Sequence, residues 1–139
     1  MMSETLISHP AVGERVVHKM FPPITRHTLA LYCGASGDHN PIHVDIDFAK
    51  AAGFPDVFSH GMLVMAYLGQ ALTDAVAPHR IRSFSTRFAA ITQLGARLTC
   101  EGHVAELIEH KGERRARLAL MTKDENGEVK LAGEAIIAL

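Results

Sequence analysis

Residues 59–77 read Ser-His-Gly-Met-Leu-Val-Met-Ala-Tyr-Leu-Gly-Gln-Ala-Leu-Thr-Asp-Ala-Val-Ala and contain the longest apolar-rich segment of the chain. The first three residues open a helix that the sequence predicts over residues 62–77. Apolar side chains, including Met62 and Met65, nearly encircle this helix, and a helix that is apolar on all sides is buried. The segment is interrupted by polar residues and is shorter than the roughly 20 apolar residues that span a bilayer. It therefore predicts a central helix inside a protein core and no membrane span.

The chain after residue 80 alternates apolar and polar residues in the way that is typical of strands. For example, Leu118 and Leu120 would lie on one face of a strand, and Arg117 and Ala119 on the other. An Asn-Gly dipeptide at residues 126–127 predicts a hairpin. Five strands are predicted, over residues 13–20, 81–88, 96–110, 114–123 and 129–139. Together with one buried helix they predict an α+β protein in which an antiparallel sheet wraps around the helix.

Two short helices and a loop are predicted between the first strand and the central helix. Thr25 is a candidate N-cap for a helix over residues 26–33, which Gly34 is expected to end. Residues 34–43 contain two glycines and a proline, so they predict an irregular loop. The second short helix is predicted over residues 45–52.

Length and composition limit the class of protein. At 139 residues, 47% of them hydrophobic, the chain fits one domain over residues 1–139. A formal net charge of −1 provides no basic surplus for a phosphate backbone, so no nucleic-acid partner is expected. Residues 1–15 lack the basic and apolar regions of a secretory signal. The two cysteines form no C-x-x-C pair and predict a reducing, cytoplasmic setting; Cys33 is interpreted as a buried apolar residue and not as a nucleophile.

A candidate acid–base pair lies in residues 36–43, which read Ser-Gly-Asp-His-Asn-Pro-Ile-His. Asp38 and His43 would diverge on a regular helix, but Pro41 forbids that regularity and a compact turn can bring them to one side. A carboxylate beside an imidazole can move protons near neutral pH. Asn40 can both donate and accept hydrogen bonds, which suits fixing the turn or holding a water molecule.

Gly61 is a candidate donor to an oxyanion. A glycine in the first turn of a helix leaves its backbone N–H free and has no side chain to block close approach. The N-terminal end of a helix is also partially positive and stabilises negative charge. Such a donor can stabilise the negative charge that develops on a carbonyl oxygen during a reaction.

Each of these features also has a simpler interpretation. An aspartate before Asn-Pro is often only a turn with a side-chain cap, and a glycine that opens a helix is often only part of a cap. His39 and His43 are four residues apart, but Pro41 breaks the helix that would align them on an ion, so no metal site is predicted. The other scattered histidines are predicted to be solvated: His9, His18, His27, His79, His103 and His110.

Taken together, residues 32–45 and 59–65 resemble the (R)-specific enoyl-CoA hydratases of the MaoC-like hot-dog family. The first stretch reads Tyr-Cys-Gly-Ala-Ser-Gly-Asp-His-Asn-Pro-Ile-His-Val-Asp. The order of elements is also similar, including Arg87-Phe88 in the strand after the central helix, so the resemblance covers most of the chain. It implies a hot-dog fold, usually as a homodimer whose sheets join and whose site lies near the dimer interface.

The resemblance also implies roles for individual residues. Asp38 and His43 fall on the catalytic pair of the family. Asn40 falls on an asparagine that organises the pocket, and the amide of Gly61 on the one that binds the thioester oxygen. The implied reaction is the reversible syn hydration of a trans-2-enoyl thioester to the (R)-3-hydroxyacyl form in fatty acid metabolism, with no cofactor. Its substrate is carried by coenzyme A or acyl carrier protein; the carrier, the acyl chain length and the identity of the base stay open.

The chain departs from the family pattern at two places, and two other functions compete. Gly69 stands where some of these hydratases carry a serine, and residues 89–93 lack the prolines that many relatives have. An acyl-thioester hydrolase with a hot-dog fold is one alternative, although hydrolysis has no evident need for the tight acid–base turn. A non-catalytic acyl-binding subunit of a heterodimer is the other, although such a subunit would be expected to lose the motif.

Overall fold

The computed structural model of the chain describes residues 7–139. Residues 1–6 belong to the segment that was predicted not to be a secretory signal, and that prediction lies partly outside the described residues. The strands are β1 (Arg15–Met20), β2 (Ile81–Phe88), β3 (Thr99–His110), β4 (Glu113–Lys123) and β5 (Val129–Ala138). The helices are α1 (Arg26–Ser36), α2 (Ile46–Ala51) and α3 (Gly61–Ala75), and short 3-10 turns cover Pro41–His43 and Pro78–Arg80.

The five strands form one antiparallel sheet in the order β1-β3-β4-β5-β2. Two hairpins, β3–β4 and β4–β5, build its centre, and β1 and β2 are its edges. In the predicted hairpin turn the Asp124 carboxylate accepts hydrogen bonds from the N–H groups of Asn126 and Glu128, both at 2.9 Å. Gly127 has a φ of 79°, which glycine adopts without strain. The prediction of a hairpin at the Asn-Gly dipeptide is confirmed.

Helix α3 packs against β1, β3, β4 and β5 and so fills the concave side of the sheet. Its buried side chains form one stripe: Leu63, Val64, Leu68, Ala71 and Leu72. The facing strands contribute buried apolar side chains that include Cys100, Val104, Leu118, Leu120, Ala135 and Ile137. The predicted antiparallel sheet around a long helix is confirmed. Within residues 7–139, none of the helices combines the length and the apolar character of a bilayer span.

The prediction that α3 is buried on all sides is wrong. Met62 is 54% exposed, and Ala66, Gln70 and Thr73 are exposed with it. These four residues recur every three or four positions and therefore share one face of the helix. A single curved sheet covers only part of the circumference of a helix, so an apolar residue on the far face stays in contact with solvent.

The prediction that α1 ends at Gly34 is also wrong. Thr25 caps α1 as expected, its hydroxyl accepting a hydrogen bond from the N–H of Thr28 at 3.1 Å. The helix continues through Gly34 to Ser36, because one interior glycine costs only about 1 kcal/mol. Gly37 ends it in a left-handed conformation, with a φ of 77°.

Two aromatic rings of the edge strand β2 pack against two glycines of α3. A Cβ atom added to Gly61 would lie 3.0 Å from Phe88, and one added to Gly69 would lie 3.7 Å from Phe84. The glycines are eight residues apart on the helix and the phenylalanines four apart on the strand, and both spacings are about 12–13 Å. This match brings β2 close to the beginning of α3.

The ammonium group of Lys130, a fully buried residue of β5, ties the sheet to the loop that follows β2. It donates to the carbonyl oxygen of Ile91 at 2.8 Å and to the side-chain oxygen of Gln93 at 3.2 Å. It also donates to the carboxylate of Glu128 and lies 3.5 Å from that of Asp124. Asp124 is itself nearly buried, so Lys130 compensates its charge.

Replacing Lys130 with methionine should lower the free energy of unfolding by about 3–5 kcal/mol, because it leaves a buried carboxylate without its cation. Urea denaturation measures this change. The control is Lys123→Met on the neighbouring strand, where a partly exposed pair with Glu101 contributes about 0–1 kcal/mol. Equal losses in the two variants would contradict a structural role for the buried ammonium group.

Candidate active site

The segment between α1 and α2 is held in its turn by its own side chains. Ser36 donates its hydroxyl to the carbonyl oxygen of Tyr32 at 2.7 Å and accepts the N–H of Asp38 at 3.1 Å. Asp38 Oδ1 accepts the N–H of Asn40 at 3.2 Å, and Asn40 Oδ1 accepts the N–H of Ile42 at 3.1 Å. The simpler interpretation of Asp38 as part of a capped turn therefore describes real contacts, and Asn40 fixes the turn in the way its side chain was expected to.

The same turn brings the two predicted side chains together. Asp38 Oδ2 lies 4.0 Å from His43 Nε2, while Oδ1 of the same carboxylate is occupied by the turn. The side chain of Asp38 is 53% exposed, whereas His43 is buried. One oxygen of Asp38 thus maintains the backbone, and the other remains available beside an imidazole.

The hydrogen bond of His43 to the backbone determines which of its nitrogens is free. Nδ1 lies 2.8 Å from the carbonyl oxygen of Phe58, and a carbonyl oxygen only accepts. Nδ1 therefore carries a hydrogen. In the neutral ring Nε2 then has a lone pair, and that nitrogen faces Asp38.

His60 is a third member of this site that the sequence analysis missed. Its ring is 1% exposed and stacks on the ring of His43, with the centroids 3.8 Å apart and the planes 25° apart. Its Nε2 lies 3.3 Å from the backbone carbonyl oxygen of Asp38 and 3.4 Å from Cys33 Sγ. Its position directly before the candidate donor Gly61 could have indicated a place in the site. Its contact with Asp38, which is 22 residues away in the chain, could not be read from the sequence.

Electrostatics keep His60 neutral. Burial lowers its pKa below the ordinary histidine value, and the neighbouring His43 lowers it further. Its hydrogen bond to Asp38 and the carboxylate charge oppose this shift without reversing it. Neutral His60 can therefore lie face to face with His43 without charge repulsion.

A pocket of about 340 Å³ is lined by both His43 and the first residue of α3, whereas Asp38 and Asn40 do not line it. Its remaining wall is mostly apolar and comes from α3 and the segment before it, from the end of β2 and the loop that follows, and from β5: Val64, Phe58, Phe88, Ala89, Ile91 and Leu131. Gly61 begins the helix, so its N–H has no partner within the helix. The predicted amide donor and the predicted imidazole thus line the same cavity.

The site also has a group of possible metal ligands. Asp38, His43 and His60 each offer one ligand atom, and these atoms all lie within 4.8 Å of one another. The sequence argument against a metal considered only the pair of His39 and His43. The absence of a metal therefore stays a prediction.

The other predicted residues lie as follows. Cys33 is buried, as expected for a small apolar residue. His39 is exposed on the loop of residues 36–43, called the motif loop below. Met62, predicted to lie in the core, is exposed at the start of α3.

Comparisons with known proteins relate the chain to one family. A family model described as "MaoC like domain" matches residues 8–126. The structure is similar to that of R-hydratase PhaJ1 from Pseudomonas aeruginosa, with a TM-score of 0.82 and 29% identity, over 93% of this chain and 82% of that one. This similarity confirms the predicted α+β hot-dog fold.

Two curated relatives are similar in sequence. The peroxisomal enoyl-CoA hydratase 2 of Arabidopsis thaliana is 35% identical over 80 residues, or 55% of this chain. The 3-hydroxybutyryl-CoA dehydratase of Methylorubrum extorquens is 36% identical over 106 residues, or 73% of this chain. The chain spans 26% of the length of the first protein and 64% of the second.

The tautomers and the burial of the histidine pair can be tested by NMR. We expect His43 to carry a hydrogen on Nδ1, and His60 to carry one on Nε2 and to take up a second proton below the ordinary pKa of about 6.5. The unfolded chain binds that proton at higher pH than the folded chain, so the contribution of His60 to stability falls as the pH drops below about 6.5. Two-dimensional ¹H–¹⁵N spectra across pH 4–8 measure the tautomers and the titration of His60, with the histidine signals of the urea-unfolded chain as the reference. Titration of His60 at the same pH as that unfolded reference would contradict its burial.

Proposed function

The chain belongs to the MaoC-like domain family, and from this premise we propose that it hydrates trans-2-enoyl thioesters reversibly to (R)-3-hydroxyacyl thioesters. The observation that carries the proposal is the separation of 4.0 Å between Asp38 Oδ2 and His43 Nε2 beside a largely apolar pocket. The names of similar proteins, an enoyl-CoA hydratase, a 3-hydroxybutyryl-CoA dehydratase and an R-hydratase, support the same chemistry.

The acid–base pair is suited to hold one water molecule. Two acceptors 4.0 Å apart can both receive hydrogen bonds of about 2.8 Å from one water placed between them. The water oxygen forms a bond to C3 of the enoyl group, and C2 gains a proton on the same face. Of the two hydrogens of the water, one stays on the new hydroxyl group and the other enters the pair, which returns a proton to C2. Atoms and charge therefore balance without a cofactor.

The N–H of Gly61 is suited to hold the thioester oxygen. Attack at C3 moves negative charge through C2 onto that oxygen, and a donor aimed at developing charge lowers the barrier. The partially positive N-terminal end of α3 adds to this stabilisation. Because the ring of Phe88 packs against the Cα of Gly61, it shields this end of the helix on one side.

Substrate, assembly and location complete the proposal. The substrate is an acyl-CoA or an acyl carrier protein thioester, whose acyl group enters the apolar part of the pocket. The chain works as a homodimer in the cytoplasm. Support for the dimer comes from β2, an edge strand with free backbone groups, and from Phe88 at its end, which is 53% exposed. Support for the location comes from two buried cysteines that form no disulfide.

Asp38→Asn and His43→Gln should each fold normally and lose at least about a hundredfold in kcat, which is the usual size of a general acid–base contribution. Hydration of crotonyl-CoA is followed by the loss of ultraviolet absorbance of the conjugated enoyl thioester. The matched control is His39→Gln, an exposed histidine of the same loop, which should keep wild-type turnover.

Two outcomes would contradict the proposal. One is near-normal hydration by both variants of the pair. The other is release of free thiol from acyl-CoA by the wild-type protein, detected with a thiol-reactive dye, without any hydration. That second result would favour an acyl-thioester hydrolase.

The amide of Gly61 can be tested by removing its hydrogen. Gly61→Pro and Gly61→Ala both add a Cβ atom against Phe88, but only proline removes the N–H. Proline suits the first helical position, and His60, with φ −56° and ψ 136°, has a backbone geometry that a following proline accepts. We expect the kcat of the proline variant to be lower than that of the alanine variant by a factor of about 10²–10³. Equal kcat values would exclude the amide as the donor.

A further inference from the structure

His60 is buried at the centre of the site, yet neither the water nor the thioester oxygen requires it. We propose that His60 is a positioning residue that aligns both members of the acid–base pair, one through a hydrogen bond and the other through its ring face. This inference rests on the proposed hydration reaction, because the alignment matters only if Asp38 and His43 act together.

The first contact fixes the peptide that carries Asp38. The carbonyl oxygen of Asp38 only accepts, so the Nε2 of His60, 3.3 Å away, carries the hydrogen. Asp38 needs this support because its side chain is half exposed and follows Gly37, the flexible residue that ends α1. Holding the carbonyl oxygen limits rotation about the backbone, and this in turn limits where the carboxylate can point.

The second contact fixes the ring of His43. His60 covers one face of that ring at 3.8 Å, and the ring of Phe58 meets it edge-on at 5.5 Å with the planes 87° apart. His60 is held in turn by the ring of Tyr32, at 4.7 Å and 68°. These contacts and the Nδ1 hydrogen bond leave His43 one orientation, in which Nε2 faces Asp38.

The unsatisfied nitrogen of His60 argues that its role is more than filling space. Nδ1 is buried without a hydrogen-bond partner, and a buried polar atom without a partner lowers stability. A phenylalanine would fill similar space without that cost. What histidine adds is the Nε2 hydrogen directed at the Asp38 carbonyl oxygen.

Two substitutions separate the two contacts. His60→Phe keeps the stacked ring and removes the donor to Asp38. His60→Gln keeps an amide donor of similar reach and removes the ring. In each variant we expect kcat for crotonyl-CoA to fall by about tenfold to a hundredfold, the effect of a misplacement of about 1 Å, while KM stays within about twofold. A role in stability alone would change the thermal midpoint and the active fraction, and would leave kcat per folded molecule intact.

A matched control removes the other neighbour of the same nitrogen. Cys33→Ala deletes the thiol 3.4 Å from His60 Nε2 and leaves the hydrogen bond to Asp38 in place, so its kcat should equal that of the wild type. Wild-type kcat in both His60 variants, with Asp38→Asn inactive, would overturn the positioning role and leave the hydratase assignment intact. Wild-type kcat in one of them would exclude the contact that this variant lacks.

A second measurement tests the inference without activity. Crystal structures of the wild-type protein and of His60→Phe should show separations between Asp38 Oδ2 and His43 Nε2 that differ by about 1 Å or more. An unchanged separation would overturn the proposal even if the wild-type protein fails to hydrate any enoyl thioester.

Discussion

Burial of one stripe of α3 against the concave side of the sheet is the constraint on which the site depends. Because Leu63, Val64 and Leu68 face the strands, the beginning of the helix can have only one orientation. That orientation places Gly61 in the wall of the pocket and directs the preceding His60 toward the loop that carries Asp38. The N-terminal end of α3 therefore fixes the position of the site and also forms part of its wall.

The motif loop shows how one set of residues meets a structural and a chemical need together. Asp38 divides its carboxylate, one oxygen accepting the N–H of Asn40 and the other facing His43. The two ring nitrogens of His43 also differ in role: Nδ1 donates to a carbonyl oxygen, and Nε2 is free. A turn with a purely structural role would not be expected to leave a free carboxylate oxygen facing a free imidazole nitrogen. The pairing of the two leftover atoms is what distinguishes this loop from an ordinary capped turn.

The wall opposite the loop is held by contacts that begin far from the chemistry. Lys130 binds the carbonyl oxygen of Ile91 and the side chain of Gln93, and the backbone of Gln93 pairs with that of Phe58. The carbonyl oxygen of Phe58 in turn accepts the hydrogen of His43. A buried cation on β5 is thereby connected, through one loop and one isolated bridge, to the orientation of the imidazole.

Local patterns along the chain determined the central helix, the strands, the hairpin at the Asn-Gly dipeptide and the turn that joins Asp38 to His43. These depend on periodicity, turn chemistry and neighbours within a few residues, all of which are visible in a sequence. Tertiary structure alone decided that one face of α3 meets solvent, that α1 runs through Gly34, and that His60 stacks on His43. Each of these outcomes depends on which distant part of the chain covers a residue. A sheet of limited curvature covers only part of a helix, and a contact between residues as far apart in the chain as His43 and His60 leaves no periodic pattern in the sequence.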